Sequence, residues 1–179
     1  LYTNKKLSLS DISKIYRCSH SKILDKLKKY DIKRRDKFES NIKYERKPFN
    51  GNILEKAYLI GFRLGDLHVK RTSEKTIKTN SSTTKLAQVN LIKNLFRNYG
   101  HVYIKKGEDC YNTNCYLDNS FKFLLEKKDK IKAWILNNNK LFFAFLGGYT
   151  DAEGNIGVYT KRARYRVGSY DKGILSQIY

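Results

Sequence analysis

Two short stretches near the N-terminus repeat apolar residues at helical spacing. The apolar face of the first, which Ser10 would cap, consists of Ile12, Ile15 and Tyr16. The face of the second, which Ser19 or Ser21 would cap, consists of Ile23, Leu24 and Leu27. Two short helices, a tight turn at residues 17–19 and a basic tail predict a small all-α helix-turn-helix module over about residues 1–47.

This segment resembles the helix-turn-helix of resolvase-like and repressor proteins, although Arg17 stands where those proteins usually have glycine. A plain helical hairpin with a solvated charged face is the alternative interpretation. If the second helix enters a DNA groove, the residues that we expect to face the bases are His20, Ser21, Lys22 and Lys26. Arg34 and Arg35 of the basic tail are the candidate phosphate contacts.

Residues 36–53 lack periodicity and include the only proline, so residues 48–53 are predicted to be a linker. The pattern then changes to alternating helices and strands. The predicted helices are 55–66, 84–99, 121–136 and 141–152, with another beginning at Ile174. The predicted strands are 67–71, 76–79, 101–106, 112–117, 156–160 and 164–167. This order of helices and strands starts again at residue 141. It predicts an α+β core over residues 54–179 that is built from αββαββα repeats, of which the second is apparently incomplete.

The net charge of the chain indicates which kind of molecule it binds. Lys and Arg number 37 against 17 acidic residues, giving a formal net charge of +20. Such a surplus destabilises a compact chain by self-repulsion unless a polyanion uses it. An anionic membrane surface is the competing partner, but residues 1–47 carry net +9 and the remainder +11, so nucleic acid is favoured over a membrane. No apolar run approaches the length of a membrane span. Three cysteines without a zinc pattern suit a reducing intracellular compartment, such as cytoplasm, nucleoid or organelle matrix.

The two apolar helices carry matching nine-residue segments, LIGFRLGDL at 59–67 and LGGYTDAEG at 146–154. Both have glycine at the third position, namely Gly61 and Gly148, and an acid at the eighth, namely Asp66 and Glu153. Glycine inside a helix costs about 1 kcal/mol relative to alanine, and close approach of two helix backbones would justify it. Two carboxylates brought together at helix C-termini repel each other unless hard cations lie between them.

These motifs resemble those of the LAGLIDADG homing endonucleases in their two-motif, single-chain form. The second motif matches well, whereas Leu64 and Leu67 replace the usual acid and final glycine of the first. The resemblance implies a saddle of two antiparallel sheets over double-stranded DNA in a monomer with pseudo-two-fold symmetry. It also implies Mg²⁺ (or Mn²⁺) ligands at Asp66 and Glu153 and at the backbone carbonyls of Gly65 and Ala152.

The implied activity is site-specific double-strand cleavage by metal-assisted phosphodiester hydrolysis, in the service of a mobile intron, intein or free-standing gene. Family members often place a Lys or Gln where the second strand of a repeat meets the next helix. Of the two junctions, 79–82 and 168–172, only the second offers a basic group, Lys172, as a candidate catalytic residue. Basic side chains on or between the strands are candidate DNA contacts: Lys70, Arg71, Lys75, Lys78, Lys105, Lys106, Lys161, Arg162, Arg164 and Arg166.

Three other interpretations remain open. Asp66 and Glu153 could merely end two core helices. The chain could be a transcription regulator that keeps the scaffold only for DNA binding, although regulators of this type typically lose the acids. It could also be an RNA maturase, since RNA is not excluded. We further expect a longer native polypeptide, because only 26 residues follow Glu153 whereas the two motif acids lie 87 residues apart.

Overall fold

The computed structural model describes residues 1–35, 42 and 44–179, and the chain divides into two compact units, Leu1–Glu45 and Arg46–Tyr179. The first unit contains helices α1 (Leu9–Tyr16) and α2 (His20–Lys29). Ser8, not the predicted Ser10, caps α1, because Ser8 and Asp11 form a reciprocal capping box. Of the two predicted caps of α2, Ser19 is the one observed, and it accepts a hydrogen bond from the Lys22 N–H.

The core of the first unit is small. It consists of Tyr2, Ile12, Ile23 and Leu27, with a few partly buried neighbours. Ile15 and Tyr16, which were predicted to share the apolar face of α1, are instead exposed. The turn after α1 passes through Arg17, whose φ of 46° and ψ of 46° are left-handed. Arginine therefore occupies a backbone conformation that favours glycine.

The predicted linker 48–53 belongs to the second unit. The Phe49 ring lies 5.3 Å from the Phe121 ring and 5.2 Å from the Phe123 ring, and its N–H donates to Ser120. The two units divide between residues 45 and 46, and the partly buried Phe49 ring attaches the segment 48–53 to the core of the second unit.

The second unit has the α+β class that the sequence predicts, with antiparallel sheets. Its first repeat runs through α3 (Ile53–Leu64), β1 (His68–Ser73), β2 (Thr76–Thr83), α4 (Leu86–Phe96), β3 (Val102–Lys106) and β4 (Tyr111–Asp118). These strands form a four-stranded sheet in the order β1-β2-β4-β3. The chain continues with a 3₁₀ helix (Asn119–Leu124), α5 (Ala133–Leu136), α6 (Asn139–Glu153), β5 (Gly154–Tyr159), β6 (Arg162–Val167) and α7 (Lys172–Ile178). β5 and β6 form a two-stranded sheet.

The single helix predicted over 121–136 is wrong for its middle part, since residues 125–132 are not helical. Asp129 in this stretch accepts hydrogen bonds from the N–H groups of Gly173 and Ile174, and Ile131 donates its N–H to the Gln177 side chain. The segment thus uses its polar groups to hold both the first and the last turn of α7 rather than to continue a helix.

One core fills the second unit. Its fully buried members come from every helix of the unit and from the four-stranded sheet, and they include Leu59, Phe62, Ile77, Leu117, Phe145 and Tyr149. Val89, Ile92 and Phe96 of α4 are buried as predicted, whereas Leu86 is exposed. Among the residues that the structure describes, no helix combines the length and apolarity needed to cross a bilayer.

Candidate active site

Helices α3 and α6 pack against each other through their third-position glycines. A Cβ atom on Gly61 would collide with the Phe145 carbonyl oxygen and lie 2.9 Å from the Tyr149 nitrogen. A Cβ atom on Gly148 would collide with the Tyr58 carbonyl oxygen and lie 2.9 Å from the Phe62 nitrogen. These contacts are equivalent, because each residue of one set lies 87 positions from its counterpart in the other. The crossing therefore has local two-fold symmetry, and glycine permits it.

The aromatic residues around this crossing repeat the symmetry. Tyr58 stacks on Phe62 with 6.5 Å between ring centroids, and Phe145 stacks on Tyr149 at 6.1 Å. The symmetry is broken by a polar contact, because the Tyr58 hydroxyl donates a 2.5 Å hydrogen bond to Asp151 of the facing helix. Burial and this carboxylate raise the pKa of Tyr58, so it remains a hydrogen-bond donor across the usual pH range.

The two motif acids come together where the helices end. A Cβ atom on Gly65 would collide with the Ala152 methyl group and lie 2.9 Å from Glu153 Cγ and 3.4 Å from Glu153 Oε1. Gly65 immediately precedes Asp66, so the missing side chain lets the segment that carries Asp66 approach Glu153. Burial, followed by the negative charges of Asp66 and Asp171, raises the pKa of Glu153, and Lys127 partly opposes this shift. Glu153 therefore lies within electrostatic reach of Asp66.

Gln88, in the first turn of α4, was not identified from the sequence. Its Nε2 donates a 2.7 Å hydrogen bond to Asp66 Oδ2, while the Asp66 side chain remains exposed. The sequence placed the strand-to-helix junction at residues 79–82, but β2 continues to Thr83 and moves the junction to the start of α4. Gln88 therefore lies six residues beyond the stretch in which the sequence analysis looked for a Lys or Gln.

Lys172, the predicted catalytic lysine, begins α7 and is exposed. The basic group whose charge acts on Glu153 is Lys127, in the segment after the 3₁₀ helix. The role assigned to Lys172 stays a prediction, and the positive charge that lowers the pKa of Glu153 belongs to Lys127.

The donor set suits a hard divalent cation. Two carboxylates and the neighbouring carbonyl groups of Gly65 and Ala152 offer oxygen ligands only, and oxygen is what Mg²⁺ and Mn²⁺ prefer. Across residues 1–35, 42 and 44–179, no group of three or more His, Cys, Asp or Glu side chains gathers as a metal cage. Mg²⁺ characteristically uses one or two protein carboxylates together with water and substrate phosphates, so two acids are sufficient.

The four-stranded sheet has one buried face and one polar face. The register places Val69, Thr79 and Cys115 in one buried row and Ile77 opposite Leu117 in another. We define the polar face by the alternate positions: His68, Lys70, Lys78, Asn80, Ser82, Tyr103, Lys105, Asn112, Asn114 and Tyr116. Three predicted DNA contacts (Lys70, Lys78 and Lys105) lie there. The neutral polar members were missed, although those of β4 are indicated by the alternation of YNTNCYLD.

The other predicted contacts of this sheet lie near strand ends. Arg71 pairs with Ile77 and donates a long 3.4 Å bond to the Glu74 carbonyl. Lys75 lies in the exposed β1–β2 turn, and Lys106 ends β3. They are not on the polar face as defined, and their DNA contacts stay predictions.

The β5–β6 hairpin presents three arginines on one side. Arg162, Arg164 and Arg166 alternate along β6, opposite Tyr159, Gly157 and Asn155 respectively. The guanidinium carbons of Arg164 and Arg166 lie 5.9 and 4.8 Å from the Tyr159 ring centroid. Lys161 occupies the turn, with a positive φ of 64°. The sequence had placed these basic residues on or between candidate strands, and the hairpin brings three of them to one side.

In the first unit, His20, Ser21, Lys22, Lys26 and Arg34 are exposed as a DNA-contacting set requires. Arg35 has a role within the unit, because its guanidinium donates to the carbonyls of Lys6 (2.8 Å) and Leu7 (2.6 Å) and lies over the Tyr2 ring. Arg34 is therefore the better candidate for a phosphate contact.

No protein-family model and no curated protein sequence matches the chain. Similar solved structures include a variant of the homing endonuclease I-DmoI with nicked target DNA and Mn (19% identity, TM-score 0.48, 72% of this chain and 75% of that chain). I-DmoI with DNA and Ca gives 17% identity, a TM-score of 0.46 and coverages of 72% and 70%. The homing endonuclease I-WcaI bound to its DNA recognition sequence gives 19% identity and a TM-score of 0.43, with coverages of 62% of this chain and 55% of that chain. At these identities and TM-scores, the structural similarity carries no argument about function beyond the geometry of the candidate site.

Proposed function

We propose that this chain is a divalent-metal-dependent endonuclease that makes double-strand breaks at specific DNA sites. The observation that carries the proposal is the convergence of Asp66 and Glu153, 87 residues apart in sequence, at the end of a glycine-mediated helix crossing in a chain of net charge +20. The aromatic pairs stacked beside the crossing support this placement of the two helices. One acid from each motif matches one scissile phosphate on each DNA strand.

Each residue of the site has a distinct role in this proposal. Asp66 and Glu153 would hold Mg²⁺ or Mn²⁺, assisted by the carbonyl groups of Gly65 and Ala152. A cation bound there supplies an activated water and neutralises charge developing on the phosphate. Gln88 holds one oxygen of Asp66 and leaves the other for the metal. Lys127 partly offsets the charges of Asp66 and Asp171, so Glu153 ionises more readily than it would without this cation.

DNA contacts are proposed for the polar face, the β5–β6 hairpin and α2. The polar face combines amide groups, which can form hydrogen bonds with base edges, and lysines, which neutralise phosphates. The three arginines of β6 add a second basic surface. These features suit a strand-based reading of the major groove, as the resemblance implies, with α2 as a separate helical contact.

A protein that only binds DNA has little use for the acidic pair. Two converging carboxylates repel phosphate and reduce affinity unless they hold cations, so their presence favours the nuclease over a purely regulatory role. The RNA maturase alternative has no observation of its own, and it is addressed by offering the protein RNA in the same assay.

The test begins with a randomised DNA library, Mg²⁺ and sequencing of cut ends to define a target. Asp66→Asn and Glu153→Gln should each abolish double-strand cutting of that target while binding persists, and EDTA should do the same. Asp151→Asn is the matched control, since it removes a carboxylate from the same helix yet keeps an oxygen acceptor for Tyr58. Full activity of the Glu153→Gln protein, or equal loss in the control, would refute the assignment.

The contribution of α2 is tested separately in the full chain. Lys22→Gln together with Lys26→Gln should shrink the DNA footprint and lower the slope of log K against log salt by about 0.9 for each phosphate that is no longer neutralised. Lys5→Gln with Lys6→Gln removes the same charge from the segment before α1. Equal effects of the two double variants would show that general charge, and not α2, contributes.

A further inference from the structure

Arg63, at the fifth position of the first motif, is a buried cation held by main-chain groups. Only 7% of its surface is exposed, although it lies in the last turn of α3. Its Nε donates a 2.9 Å hydrogen bond to the Leu124 carbonyl, and its Nη1 donates a 2.6 Å bond to the Leu67 carbonyl. Burial lowers the pKa of Arg63. Removing a guanidinium from water costs free energy, and the two hydrogen bonds offset part of that cost. The fold thus keeps a charged side chain in a place where its burial is unfavourable.

The places of the two accepting carbonyls indicate what the Arg63 side chain does. Leu67 immediately follows Asp66, and Leu124 ends the 3₁₀ helix that packs beside α3. The guanidinium therefore ties the residue after the acid to a neighbouring element, while the helix itself fixes the residues before it. The main chain is held on both sides of Asp66, and Gln88 holds its carboxylate from a third direction.

The second repeat closes the corresponding turn by a different route. Thr150 is the equivalent of Arg63, and its carbonyl accepts a hydrogen bond from the Gly154 N–H, directly after Glu153. Its hydroxyl shares a 2.7 Å hydrogen bond with Tyr165 of β6. There the chain passes from α6 into β5 without an intervening residue, whereas residues 65–67 separate α3 from β1. The longer connection in the first repeat needs a side-chain support that the second does not.

We propose that Arg63 is a positioning residue for the metal-binding end of the first motif, acting by holding the Leu67 main chain so that the Asp66 carboxylate and the Gly65 carbonyl stay directed toward Glu153. This inference rests on the proposed function. It adds that the two halves of the site are supported unequally: by the backbone at Glu153, and by a buried guanidinium at Asp66.

The test uses the full chain and Mn²⁺ as the probe, with the bound fraction followed by electron paramagnetic resonance. Arg63→Lys keeps the charge but cannot span both carbonyls, and it should weaken Mn²⁺ binding about ten-fold or more, the usual consequence of removing a support behind a metal ligand. Arg63→Gln, which retains a single donor without a buried charge, provides a second variant should the lysine protein fail to fold.

Leu117→Val is the control for general destabilisation, because Leu117 is fully buried in β4 and contributes no polar group. It should lower the melting temperature without shifting the Mn²⁺ midpoint. In cleavage of a mapped target, the Arg63 variants should need more Mn²⁺ but approach the wild-type plateau. A purely structural role would lower the plateau and leave the midpoint unchanged, which would overturn the inference.

The remaining outcomes separate the two proposals. If wild-type Mn²⁺ binding is insensitive to Asp66→Asn, the proposed metal site fails, and the inference fails with it. If binding depends on Asp66 but both Arg63 variants keep the wild-type midpoint, only the inference fails. An equal midpoint shift in Leu117→Val would also overturn it, since reduced stability would then explain the effect.

Discussion

Gly61 and Gly148 occupy equivalent places in one helix crossing, since Gly61 lies against the Phe145 carbonyl oxygen and Gly148 against the Tyr58 carbonyl oxygen. Each of these aromatic residues stacks on the aromatic residue four positions later in its own helix. This mutual contact sets the spacing of the helices, and the spacing sets the approach of their C-terminal ends. Asp66 and Glu153 lie five residues after the respective glycines. The geometry of the candidate site is thus a consequence of two absent side chains about one and a half turns away.

Adding a single methyl group should distinguish glycines that the crossing requires from one that it tolerates. Gly61→Ala and Gly148→Ala force a collision with backbone and should each lower the unfolding free energy by about 1–3 kcal/mol. Gly147→Ala is the control, because its Cβ would lie 3.9 Å from the Tyr58 ring, and alanine should stabilise the helix by up to about 1 kcal/mol. Urea denaturation measures all three. Similar values at 147 and 148 would mean that the helices do not meet as described.

Arg17 should be replaceable by glycine with a gain in stability. Its left-handed conformation costs a residue with a side chain about 1–2 kcal/mol, so Arg17→Gly should raise the melting temperature of the first unit. Arg17→Ala removes the same charge without relieving the backbone, and it should show no such gain. Thermal unfolding followed by circular dichroism decides between them, and a gain in both variants would point to charge repulsion as the cause.

The sequence predicted most of what depends on short-range pattern. The paired motifs could be aligned residue by residue, and glycine inside a helix demands a close neighbour, so Gly61, Gly148 and the two acids were identifiable from the sequence alone. Whether Arg71 or Lys78 faces the polar side could not be decided, because the exact register and bulge of β1 depend on its partner strand.

Gln88 and Arg63 were missed for two physical reasons. The far half of β2 buries hydroxyl groups at Thr79, Ser81 and Thr83, so its inward positions carry no apolar signal and the strand was predicted to end early. Arg63 is a charged residue, for which solvent exposure is the ordinary expectation. Its burial follows from two carbonyls that only the folded chain brings together.

Cys115 should be the slowest of the three thiols to react. It is 1% exposed on β4, and burial raises its pKa to about 12, so the thiolate is scarce at any pH below that value. Cys18 and Cys110 are only partly buried. A disulfide reagent at a pH of about 8 should modify two thiols rapidly and the third only after denaturant is added. Three equal rates would show that the β2–β4 face of the core is open.

The polar face should contribute to DNA affinity through phosphate contacts that the helix side of the sheet does not make. Lys70→Gln and Lys78→Gln each remove one cation from that face, and each should reduce the slope of log K against log salt by about 0.9. Lys93→Gln is the matched control, since Lys93 is exposed on α4, whose buried residues cover the opposite face. Anisotropy titrations with a labelled duplex in EDTA measure binding without cutting.

Because Lys78 also lies 5.5 Å from the Tyr116 ring, its removal should disturb the face more than the removal of Lys70. Equal slopes in all three variants would remove DNA binding from this face and leave the β5–β6 hairpin and α2 as the contacts to test.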